Sequence, residues 1–132
     1  MRFARPLFIF LLPLLSLGQN DFTVCDSLMI KRQFNAAADC LEELHSENPI
    51  GPAYQKLIEA YLILADTGKV FKLARKQSKI YGQSNPAYYA DYWHFSRTLG
   101  RRGPDFSVLE NLTRSNPFSV RASAQQLVKY NY

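Results

Sequence analysis

Gln33-Phe34-Asn35-Ala36-Ala37-Ala38-Asp39-Cys40-Leu41-Glu42-Glu43-Leu44-His45-Ser46-Glu47-Asn48-Pro49 is the stretch on which the fold turns. Phe34, Ala37, Leu41 and Leu44 recur at intervals of three and four, which lays one apolar stripe along a helix. Asp39, Glu42, Glu43 and Glu47 take the other side. The run Ala36-Ala37-Ala38 is strongly helix-forming and small enough for a neighbour to approach closely. Asn48-Pro49 ends the helix, because proline disfavours helical backbone in the residue before it. Proline then suits the first turn of a new helix, where its missing N–H costs little, and Asn tolerates the turn and can cap that helix.

The same pair recurs as Asn85-Pro86 and Asn116-Pro117, so the prolines at 49, 86 and 117 lie 37 and then 31 residues apart. An interval of this size marks a repeat array of supersecondary units. Working outward, the periodicity predicts seven helices, at about Asp21–Arg32, Phe34–Asn48, Pro52–Asp66, Lys69–Tyr81, Pro86–Leu99, a shorter one from Pro104, and Phe118 towards Tyr130. Thr67-Gly68 is expected to break the third helix and Gly82 to stop the fourth. No segment of useful length has strand period. The predicted fold is all-α: antiparallel helix pairs stacked in chain order as a short right-handed solenoid, with few contacts between distant units.

The first eighteen residues read as a secretory signal peptide. Arg2 and Arg5 give a positive start, Leu7 to Leu15 is an apolar run around Pro13, and Ser16-Leu17-Gly18 places small residues before a cut after Gly18. The run of nine is far short of the roughly 20 residues of a membrane helix, and no later segment is apolar enough to span. The protein is therefore expected to be exported, to the periplasm or outside the cell. Residues 19–132 form the repeat domain, a length that supports one domain. With Arg2 and Arg5 removed the net charge falls from +5 to +3, too little to demand a nucleic-acid partner.

The stretch from Gln33 to Pro49 resembles the second helix of a tetratricopeptide repeat. Phe34 stands at the family's aromatic helix start, Ala37 at its helix crossing, Leu41 one turn later and Pro49 at its closing proline. In the first helix Cys25 takes the small position and Leu28 the large one. The second unit carries about two extra residues near Asp66-Thr67, the third is about three short, and Trp93 is bulky where the family is small. A leader followed by such repeats also resembles the N-terminal part of exported repeat proteins of Bacteroidetes-type bacteria. The resemblance implies a binding scaffold.

Cys25 and Cys40 are the only cysteines, and their midpoint falls at the Arg32-Gln33 turn. Residues equidistant from the turn of an antiparallel hairpin lie at one height, which permits a disulfide in an oxidising compartment. Two buried thiols acting as small apolar residues are the other reading. His45 and His94 bring no ligand spacing for a metal. The basic side of the fourth helix, Lys69, Lys72, Arg75, Lys76 and Lys79, reads as a solvated face or as a surface for an acidic partner or anionic lipid. Asn111-Leu112-Thr113 is a glycosylation sequon in a eukaryotic setting.

The fifth helix is aromatic, with Tyr88, Tyr89, Tyr92, Trp93 and Phe95. Ala87, Ala90, His94, Arg97 and Arg101 recur along it at intervals of three and four. On the first helix of a stacked pair they would line the concave face and suit a peptide carboxylate, against ordinary packing and solvation. There is no nucleophile motif, phosphate loop or shared carboxylate pair, so the sequence predicts a non-enzyme without cofactor. The reading is an exported scaffold for a protein or peptide. The alternatives are an N-terminal docking segment of a longer protein, or a small secreted helical ligand binder. The seventh helix has an apolar face and no polar cap after it, which predicts exposed Val120, Leu127 and Val128, an array incomplete at its C-terminus, and self-association or docking there.

Overall fold

The computed structural model describes residues 21–115 and 124–130. The leader, Asn116-Pro117 and Val120 lie outside the described residues. Those described are all-helical, with no strand among them. The helices are α1 (Phe22–Ile30), α2 (Phe34–Glu47), α3 (Ala53–Ile63), α4 (Thr67–Tyr81), α5 (Ala87–Thr98) and α6 (Phe106–Ser115), succeeded by a short α7 over 124–129. They divide into two compact units, the first reaching Leu64 and the second starting at Ala65.

The turns alternate between two chemistries. Between α1 and α2, α3 and α4, and α5 and α6, one residue takes left-handed backbone: Arg32 (φ 61°), Ala65 (φ 57°) and Gly100 (φ 64°). At two of them the bonding satisfies the helix's last carbonyls. Gln33 N–H donates to the Leu28 carbonyl and Arg32 N–H to Met29, as Arg101 N–H donates to Ser96 and Gly100 N–H to Arg97. The intervening turns carry Asn-Pro. Asn85 accepts from the Ala87 N–H through its side chain at 3.2 Å and from the Tyr88 N–H through its carbonyl, with Pro86 as the residue before α5. After Asn48 the chain instead makes a turn closed by Gly51 N–H on the Asn48 carbonyl, so it is Pro52, not Pro49, that precedes α3.

Thr67 and Gly68 do not end a helix. They lie in the first turn of α4, because the Asp66 carboxylate caps the Lys69 N–H at 3.2 Å. The break falls earlier, at Leu64 and Ala65. Gly82 does stand just after α4, in ordinary right-handed backbone. Its lack of a side chain serves a close approach: a Cβ there would run into the Tyr89 ring.

In the first unit α1 packs on α2, α2 on α3, and α1 also touches α3. Cys25, Ala37, Cys40, Leu41, Ala53, Tyr54, Leu57, Ile58 and Ala60 are buried. A disulfide joins Cys25 to Cys40, with Cα atoms 5.4 Å apart. The Tyr61 hydroxyl donates to Glu42 Oε1 at 2.5 Å, tying α3 to α2, and Lys56 Nζ lies 3.5 Å from Asp26 Oδ1 on α1.

In the second unit α4 packs on α5 and α5 on α6. Phe71 of α4 meets Tyr92 of α5 at 5.6 Å between ring centroids, and Trp93 meets Phe106 of α6 at 5.1 Å. Part of the first unit's burial pattern recurs, although at the same interval Leu57, Ala60 and Tyr61 fall on half-buried His94 and exposed Arg97 and Thr98. Ala37, Cys40, Leu41, Ala53, Tyr54 and Ile58 are buried, and so are the residues 37 positions later: Ala74, Gln77, Ser78, Ala90, Asp91 and Phe95. The interval between the first two Asn-Pro pairs is thus also the interval between equivalent core positions. The second copy is the more polar, with Asp91 where the first has Tyr54.

Candidate functional site

The residues singled out on α5 do not share one open face. Ala87 is half-buried and Ala90 is fully buried, 0% exposed. An alanine at this spacing is also what a close helix contact requires, and that use has taken Ala90. His94 is half-buried, and one ring face is covered by Tyr130, stacked at 3.7 Å with planes within 5°. Burial and the neighbouring Arg97 charge both hold its imidazole below the usual histidine range. Arg97 and Arg101 are exposed, yet each guanidinium sits over a ring: Arg97 4.9 Å from the Trp93 centroid, Arg101 5.4 Å from that of Phe71. Such seats are attractive through the ring quadrupole. The expected concave stripe is therefore dispersed into packing contacts.

Sequence reasoning missed Asp91. It is 1% exposed, the only buried carboxylate among the described residues. Its Oδ1 accepts from Tyr130 Oη at 2.5 Å and from Gln126 Nε2. Gln126 also reaches the Tyr130 hydroxyl at 3.3 Å. These bonds fasten α7 to α5. A buried carboxylate needs such donors, since an unsatisfied one is costly. Burial, then the Asp91 charge, raises the Tyr130 phenol well above its ordinary value. The available signal was thin: Asp91 is the lone acidic residue in the aromatic helix. Of the apolar residues expected to be bare on α7, Val128 is 66% exposed, whereas Leu127 is half-buried.

The described residues form concavities as well. One, of about 180 Å³, is bounded by Asp21, Phe22, Leu44, Asn48, Gly51, Pro52 and Ala53 in the first unit. Another, of about 410 Å³, lies along α4 and is lined by Lys72, Arg75, Lys76, Lys79 and Ile80. Among the described residues no group of three or more His, Cys, Asp or Glu side chains is placed to hold a metal. No described helix is long and apolar enough to cross a membrane. Comparison with protein-family models, curated proteins and solved structures gives no match.

Proposed function

We propose that this chain is an exported helical-repeat scaffold, tetratricopeptide-like in its helix pairs, that binds a protein or peptide partner without making or breaking a bond. The observation that carries this reading is the repetition itself. Two successive helix pairs bury six equivalent positions at an interval of 37 residues, and repeated helix pairs are a means of building an extended binding surface. The Cys25–Cys40 disulfide suits an oxidising compartment and hence export.

Two measurements test the proposal. Expressed with its leader, the chain should appear in the exported fraction with Gln19 as its first residue; retention in the cytosol with Met1 intact would refute export. Cross-linking of the exported chain in its native compartment should give a discrete adduct heavier than the monomer. Mass spectrometry then decides between a partner and a second copy. A chain that stays monomeric and uncross-linked at every surface would overturn the scaffold reading.

A further inference from the structure

We propose that the groove along α4 docks an acidic polypeptide segment, one whose carboxylates recur three and four residues apart on a helix and flank an apolar side chain. This rests on the scaffold reading and names the chemistry of its partner. The helix sequence TGKVFKLARKQSKIY carries five cations and no carboxylate. Lys72, Arg75, Lys76 and Lys79 are all exposed and line one concavity of about 410 Å³. Ion pairs form elsewhere among the described residues, as between Lys56 and both Asp26 and Glu59, Lys69 and Asp66, and Arg114 and Glu110. None of them reaches the four groove cations.

Like charges three and four apart on a helix repel one another. The helix macrodipole accounts for Lys79 in the last turn, where a cation is favoured, but not for Lys72, which lies in the second turn. Arg97 and Arg101 have aromatic seats; the groove cations instead line open space. An anion in that space would relieve the repulsion of the whole row.

The shape and the apolar content select the class of anion. Ile80 lines the groove and is 57% exposed, an anchor for one apolar side chain between charged ones. A bilayer surface is a poorer match. Membrane-binding amphipathic helices insert their apolar face, and that face of α4 is spent, with Val70 and Ala74 both at 0% exposure. From Lys72 to Lys79 the cations cover about 10.5 Å of helix axis, two turns. A partner helix with Glu at i, i+3 or i+4, and i+7 presents charge at the same pitch.

The experiment uses the disulfide-bonded chain and a fluorescein-labelled, amidated helical peptide with Glu at those positions and one central leucine, read by fluorescence anisotropy. Binding is expected to weaken steeply as salt is raised, since exposed charges are screened beyond about 10 Å at 0.1 M. Lys72→Glu with Lys76→Glu should weaken it by about tenfold or more, as reversal of close interfacial charges does. The control pair Lys31→Glu with Arg102→Glu changes net charge equally at residues that do not line the groove, and should leave most of the affinity. Ile80→Ser should weaken binding without changing the salt dependence. If the Glu pair unfolds the helix by circular dichroism, Lys72→Gln with Lys76→Gln replaces it.

Equal loss in the groove and control variants would overturn the proposal, since net charge alone would then explain binding. So would an unbound peptide, or binding to phosphatidylserine-containing vesicles and not to the peptide. In each of those cases a partner cross-linked to the exported chain would leave the scaffold reading standing and only the groove abandoned. Peptide binding with no native adduct would instead retain the groove's chemistry and refute the wider reading.

Discussion

Asp91 is the side chain with most at stake. Its carboxylate is withdrawn from water and held by Gln126 and Tyr130. Replacing Tyr130 by Phe removes one donor and leaves the ring stack on His94 in place. The loss should be about 1–3 kcal/mol, the cost of depriving a buried acceptor of a partner, read as a lower urea midpoint at constant slope. The raised phenol sets the sign with pH. Its stabilising contribution is present in full below the ordinary tyrosine value near 10 and drains away as pH rises above it. The wild-type chain should therefore lose stability above about pH 10 more steeply than Tyr130→Phe. Parallel alkaline profiles would show that the phenol is not coupled to folding.

The helices are set by their ends as much as by their faces. Arg32 and Ala65 hold left-handed backbone that glycine, as at Gly100, accepts without steric penalty. A side chain there costs about 1–2 kcal/mol. Ala65→Gly should then stabilise the chain by roughly 0.5–1 kcal/mol after the added freedom of the unfolded glycine is subtracted. A lower melting temperature would mean that Ala65 contributes packing its backbone does not reveal. The helix crossings supply a second test. Ala37 and Ala74 are both 0% exposed and stand 37 residues apart. Leucine at either should overpack its crossing and cost about 1–3 kcal/mol. Chemical denaturation of both variants checks the equivalence: a costly Ala37→Leu beside a neutral Ala74→Leu would break it.

Over the whole chain, the first unit is stapled by a disulfide and the second is latched by hydrogen bonds. The Cys25–Cys40 bridge spans 15 residues in the first unit, and a loop of that length is worth about 3 kcal/mol through the entropy it removes from the unfolded chain. Reduction should lower the free energy of unfolding by about 2–4 kcal/mol, measured by ellipticity in urea with and without dithiothreitol. The double substitution Cys25→Ala, Cys40→Ala should show the same loss and no further response to reductant. An unchanged midpoint would reduce both cysteines to packing groups.

Helicity, the turns near Arg32 and Gly100 and the staple's geometry were legible because their causes are local. Asn48-Pro49 and Asn85-Pro86 act within a few residues, and Cys25 and Cys40 straddle a single turn. The basic side of α4 was legible for a related reason: its charged and apolar residues alternate with strong contrast, so one periodicity fits. Asp66 shows the limit even of local reading, since its capping bond moved the helix start ahead of Gly68. On α5 the contrast fails. The aromatic residues of that helix gather on one side, yet Ala90 and Asp91, which lie outside that arc, are buried as well, so periodicity marks the wrong extent of the core, and only packing decides that Ala90 and Asp91 turn inward while Arg97 stays out. Asp91 meets Gln126 and Tyr130 across 35 and 39 residues. Contacts at that separation leave no mark in local composition, because the free energy that selects them belongs to the assembled core and not to either segment alone.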